Sequence, residues 1–274
     1  MKKWVIIALF SIFTTSHARA QEGEKLFLRV QYNITGKEYL EENKQSYKDL
    51  FNLDIGSNLS LFYSFNQHNR DSVELDLKKQ GFAGLQVKET LNERGYFQGR
   101  KDIVITDIKS GNHKCFSIIG VMHYSAAEPV ENIKWYITND TTTIFNYKCF
   151  KAKSTFRGRT WIAWFTREVP VSRGPWKLSG LPGLILRASD SDNHYVFEIA
   201  GVSKISKVLD MSLFEKYKEV SIDEFNKLMI KSKTDPMDFV MNQTGRSIGQ
   251  GYDREGKPIP KSRFQNLEYN PIER

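Results

Sequence analysis

Asp190, Asp192 and His194 are the most site-like polar cluster in this 274-residue chain. Two carboxylates and an imidazole this close in sequence could hold a divalent metal or exchange protons. Asp190-Ser191-Asp192-Asn193 is also turn composition, because short Asx side chains bond their own backbone and tolerate left-handed φ. The turn is the reading adopted. His113, Cys115, Met122, His123 and Cys149 offer soft ligands of the kind copper or zinc takes. Their spacing contains no CxxC pair or other strong zinc pattern. No HExxH or phosphate-binding glycine loop occurs. These residues therefore name no catalytic group, no metal ligand set and no cofactor. A hydrolase or metal-handling protein built on the Asp190–His194 cluster or the His/Cys set is the alternative function.

The densest charge pattern lies between Lys148 and Arg187, where nine Lys and Arg residues face one acid, Glu168. Phe150, Phe156, Trp161, Trp164, Phe165 and Trp176 interleave with them. Strand alternation places the aromatic residues on a core face and the cations on the opposite one. Arg157, Arg159, Trp161, Arg167, Trp176 and Lys177 are the candidate binding residues of that surface. Nucleic acid is the usual partner of such a face, but export argues against it. An anionic headgroup or the acidic face of an envelope protein fits better.

Export is read from the first twenty residues. Lys2 and Lys3, the apolar run Trp4–Phe13 and the small-x-small site Ala18-Arg19-Ala20 make a signal peptide with cleavage expected after Ala20. No later stretch reaches the roughly 20 apolar residues of a spanning helix. The formal charge of +8 falls to +5 once Lys2, Lys3 and Arg19 leave. Residues 21–240 read as one β-rich domain and 241–274 as an extended polar tail. In an oxidising compartment, Cys115 and Cys149 are expected to form a disulfide contributing roughly 3–4 kcal/mol; two buried thiols are the alternative.

The elements follow from period-two patterning. Leu26–Ile34 reads as a strand, and Phe51–Ile55 with Leu59–Phe65 as a hairpin around Gly56-Ser57-Asn58. Asp71 and Glu74 resemble a capping box for a short helix that Gly81 ends. Ile103–Ile108 with Cys115–Val121 forms a second hairpin, Lys134–Thr138 a further strand, and Thr143–Thr166 two strands around Arg157-Gly158. Leu184–Ser189 and His194–Ala200 make the clearest hairpin. Ser221 and Glu224 cap a helix carrying Ile222, Phe225, Leu228 and Met229, which Asp235-Pro236 should stop.

The hexapeptide Gly180-Leu181-Pro182-Gly183-Leu184-Ile185 has no group for acid, base or nucleophilic work. Pro182-Gly183 suits the centre of a type II turn, with positive φ at Gly183. It reads as a structural corner that launches the next strand.

Together with "NYKCFKA" (Asn146–Ala152), "FRGRTWIAWFTREVPVSRGPWKLSGLPGLIL" (Phe156–Leu186) and the ending "YNPIE" (Tyr269–Glu273), this hexapeptide resembles the GLPGLI family. The resemblance implies a secreted or periplasmic protein of Bacteroidota-type bacteria, often encoded near TonB-dependent outer-membrane receptors, with no activity or catalytic residue to carry over. The expected fold is mainly β (α+β): a large curved antiparallel sheet, an open half-barrel, with the C-terminal helix packed on it and a two-sheet sandwich as the alternative. The expected function is non-enzymatic binding, with an outer-membrane receptor or other envelope protein as partner and an apolar or anionic ligand.

Overall fold

Burial of Val30, Tyr32 and Ile34 marks the inner face of the first strand, β1 (Lys25–Gly36). The computed structural model describes residues 23–41, 46–245, 257 and 268–273. The expected signal peptide and its cleavage site after Ala20 lie outside the described residues. β2 (Tyr47–Gly56) and β3 (Leu59–Ser64) form the hairpin that their alternation predicts. Two helices follow, α1 (Phe65–Lys79) and α2 (Leu85–Glu93). Then come β4 (Ile103–Asp107), β5 (Asn112–Ile119), β6 (Met122–Pro129), β7 (Tyr136–Ile144), β8 (Tyr147–Phe156) and β9 (Arg159–Thr166). The remainder comprises β10 (Leu184–Asp190), β11 (Tyr195–Val208), the short β12 (Lys218–Glu219), α3 (Ile222–Thr234) and α4 (Pro236–Thr244).

Among the described residues these strands make one twelve-stranded sheet in the order β12-β6-β5-β4-β3-β2-β1-β11-β10-β9-β8-β7. All pairings are antiparallel except β12 on β6. The sheet is open, and its two edge strands do not pair with each other. It is strongly curled: Arg157, at the β8–β9 turn, reaches Glu128 on β6 at 2.8 Å although eight strands separate β6 from β8 in the sheet order. Trp161, Phe165, Phe197 and Leu53 fill the concave side, and α3 and α4 pack there after the sheet is complete. No helix among the described residues is long and apolar enough to cross a membrane.

Local chemistry accounts for most element ends and for two departures. α1 begins at Phe65 because Ser64 Oγ accepts from Gln67 N at 3.0 Å, so the helix starts one to two turns before the Asp71 box. Asp235-Pro236 ends α3 as expected but also opens α4, with Asp235 as cap and Pro236 in the first turn, where a missing N–H costs nothing. Ser221 caps α3 through Glu224 N, and Phe225 is its most buried residue.

The expected disulfide is not formed. Cys115 lies on β5 and Cys149 on β8, with seven strands between them in the sheet order, and both are buried free thiols. The two thiols have separate surroundings, Cys115 Sγ donating to Glu128 Oε1 at 3.8 Å and Cys149 Sγ to Tyr147 O at 3.4 Å, which the spacing of two cysteines does not show. Burial pushes the Cys115 thiol up to about 12. Unreduced, denatured protein should therefore titrate two thiols, and a reductant should leave the melting temperature unchanged. A titre of zero would restore the bridge.

Candidate functional site

The hexapeptide sits at the entrance to β10. Gly183 has φ +145°, so the expected positive φ is present. The turn differs from type II: Gly183 N donates to Leu181 O at 2.8 Å, a three-residue turn centred on Pro182. Leu181, Leu184 and Ile185 are buried as expected of a corner. The register shifts between Ile185 and Arg187, and the Tyr32 hydroxyl donates to the Ile185 carbonyl at 2.7 Å. The segment just before this corner carries Trp176 at φ +57°, an unusual conformation for a bulky side chain. It delivers Lys177 to the interior, 4% exposed.

The six candidate binding residues do not share a surface. Arg159, Trp161, Trp176 and Lys177 are buried, Arg157 is largely covered, and Arg167 is exposed with its guanidinium 4.8 Å from the centroid of the Phe150 ring. The expected split of aromatic and basic faces fails because Arg159 and Trp161 are two residues apart on one strand and point to the same side. Lys151, Lys153 and Trp164 occupy the other.

What the fold brings together is the concavity. Ile34, Phe51, Phe62, Val104, Phe197 and Trp176 wall a cavity of about 370 Å³. Ile222, Phe225, Met229 and Ile230 of α3 cover it, and Tyr269, Pro271 and Ile272 of the C-terminal segment complete the lining. Phe51 and Phe62 stack with centroids 4.7 Å apart. The helical spacing of 222, 225 and 229 was legible in the sequence; the cavity beneath it was not, since its walls come from separate strands.

Two charged clusters line this space, and a third buried pair, Arg159 and Asp190, lies outside its lining. Arg100 pairs with Glu38 and with Asp102 at 2.7 Å, and Lys233 joins Glu38 at 3.2 Å. Burial opposes the Asp102 charge, but Arg100, Lys233 and a 2.7 Å bond from Ser117 outweigh it and hold the carboxyl below its ordinary value. Lys177 lies between Glu128 and Glu273, and Arg157 reaches the same two carboxylates at 2.8 and 2.9 Å. Arg159 meets Asp190 at 2.6 Å, each side chain 1% exposed.

Asp190, Asp192 and His194 do converge, with potential ligand atoms within 4.8 Å. Asp190 is already committed to Arg159 and to Tyr195 N at 2.8 Å, while Asn193, at φ +54°, donates to the Asp190 carbonyl. The geometry is that of a turn whose first carboxylate anchors a guanidinium. The His/Cys set is scattered: His113 bonds Thr106 at 2.9 Å and is pushed down to about 4 by burial and by nearby Lys177. With its thiol kept protonated, Cys115 is a poor nucleophile at neutral pH.

The Lys177 cluster ties stability to pH. Burial opposes the Glu128 charge, yet Lys177 and Arg157 hold its carboxyl below 4.5. A depressed folded value means that the contribution is present above 4.5 and is lost as pH falls through the folded value. Burial likewise opposes the Lys177 charge, but Cys115, Glu273 and Glu128 raise it above 10.5, so its contribution is complete below 10.5 and is lost as pH rises beyond the folded value. Melting temperature should plateau between about pH 5 and 10 and fall in acid. Glu128→Gln should flatten part of that acid fall; an unchanged profile would remove Glu128 from the account.

Comparison with known proteins agrees with the architecture. Residues 116–229, less than half of the chain, match the family model described as N-glycanase peptide, N-terminal domain. Two crystal structures of PNGF-II, in space groups P21 and C2, superpose with TM-scores of 0.53 and 0.52 at 17% and 16% identity. They cover 76% of this chain but 34% and 33% of their own. The chain thus spans about a third of the length of PNGF-II, and at this identity the likeness is one of fold. No curated protein matches the sequence.

Proposed function

We propose that this is an exported, non-enzymatic binding protein of the cell envelope that holds an apolar ligand in the concavity of its sheet. The observation that carries this reading is the cavity of about 370 Å³, walled largely by aromatic and aliphatic side chains, with the charges in its lining engaged in ion pairs. Its size and lining are those of small-molecule sites. The resemblance of Asn146–Leu186 and Tyr269–Glu273 to the GLPGLI family supports an envelope setting beside a TonB-dependent receptor. Native mass spectrometry of protein from its own periplasm should detect a bound apolar molecule. Met229→Lys, which sets a charge against the cavity, should release it from a still folded protein. Wild-type protein isolated gently and carrying nothing would overturn the proposal.

The similarity of residues 116–229 to an N-glycanase N-terminal domain supports a second reading, a glycanase-related role. Binding to an N-glycosylated protein, lost on deglycosylation, would favour it.

A further inference from the structure

The C-terminal segment is held as a ligand is held. Glu268 O accepts from Leu40 N at 3.2 Å, Tyr269 bridges Tyr39, and Asn270 N donates to Glu38 O at 2.7 Å, so the segment adds to the chain after β1 as a short antiparallel strand. Every polar group of Asn270 is used: Nδ2 donates to Lys37 O at 2.6 Å, Oδ1 accepts from Arg159 at 2.6 Å and the carbonyl from the Tyr195 hydroxyl at 2.6 Å. Arg159 also donates to the carbonyls of Pro271 and Ile272. Glu273 then lands on Arg157 and Lys177.

The cations that read this segment do not depend on it for their placement. Asp190 holds Arg159, Glu128 holds Lys177, and Glu128 and Glu131 hold Arg157 at 2.8 and 2.5 Å. If the segment left, each would keep a carboxylate partner from the body of the protein. A segment needed only to fill space would be seated more cheaply by apolar contacts, because desolvating charges offsets much of what an ion pair gains. Preformed charged readers around an extended backbone are instead the features of a recognition groove.

We propose that this groove is a peptide-recognition site, with Glu268–Glu273 as its built-in occupant and an extended segment of another protein, carrying Asn followed by two apolar residues and a carboxylate, as its external ligand. Asn is specified because Asp lacks the donor for Lys37 O and Gln is one methylene too long. The proposal goes beyond the cavity reading: the segment also lines the cavity through Tyr269, Pro271 and Ile272, but its recognition bonds are made whether or not the cavity holds a ligand.

The test uses full-length protein and a fluorescent peptide, Glu-Tyr-Asn-Pro-Ile-Glu. In the wild type the tethered segment competes at an effective concentration that reaches about the millimolar range for short linkers, so the peptide should bind weakly. Asn270→Ala with Glu273→Gln weakens the internal occupant and should raise peptide affinity at least tenfold, and a peptide with Asp for Asn should lose that gain. Should the double variant not fold, Glu273→Gln alone carries the comparison. Equal binding to both proteins, binding to neither when folded, or indifference to Asn→Asp overturns the proposal. So does a concentration-dependent wild-type dimer that the variant abolishes, which would make the occupant a second copy of this chain.

Discussion

Replacing Arg159 by alanine should lower the melting temperature by roughly 6–20 °C. The side chain is 1% exposed and makes bonds to Asp190, Asn270, Pro271 and Ile272. Its removal leaves the Asp190 carboxylate buried with one backbone N–H as its remaining donor. Breaking a buried pair in this one-sided way costs about 3–5 kcal/mol, and for a domain of this size each kcal/mol moves the midpoint by about 2–4 °C. The C-terminal segment should become susceptible to limited proteolysis at the same time. Adding Asp190→Asn should recover part of the loss, because the uncompensated charge disappears while the missing contacts to the segment do not return. A single variant within about 1 kcal/mol of wild type, the median worth of an exposed pair, would show that the cluster is wetter than its burial indicates.

Gly183→Val should be comparably severe, and Gly183→Ala nearly as bad. An added Cβ at Gly183 would stand 1.9 Å from Thr166 O and 2.7 Å from its carbonyl carbon. Both are backbone atoms of β9 directly opposite β10, so no side chain can swing aside. Left-handed strain of about 1–3 kcal/mol adds to overpacking of about 1–3 kcal/mol. Gly180→Ala is the control: φ is +89° there, but the nearest atom to a new Cβ is 3.7 Å away, so the cost should stay near 1–2 kcal/mol, that of the conformation alone. Thermal melts of the three variants decide the matter. Equal losses at both glycines would mean that conformation, and not the approach to Thr166, makes Gly183 necessary.

The hexapeptide shows how local information carries. Positive φ at Gly183, burial of Leu184 and Ile185, and the strand they open all follow from residue types within one turn of chain. The hairpins around Gly56-Ser57-Asn58 and Asp190–Asn193, the capping of α3 by Ser221 and the mainly antiparallel curved sheet were legible for the same reason: alternation, turn chemistry and caps act between residues a few positions apart. Periodicity missed β6, α2 and α4, and placed the start of α1 at Asp71 although Ser64-x-x-Gln67 is itself a capping-box pattern.

The site required the third dimension. Cys115 and Cys149 could be paired or free as far as spacing shows, and the fold leaves them as buried free thiols with separate partners. The cations of the 148–187 stretch suggested a charged exterior, yet Arg159 and Lys177 turn inward because Asp190, Glu128 and Glu273 wait there. Lys177 and Glu273 are 96 positions apart in the chain. No local pattern encodes such a pairing; it exists only when the sheet curls far enough to bring the β8–β9 turn to β6, and the C-terminal segment crosses the cup that this curl creates.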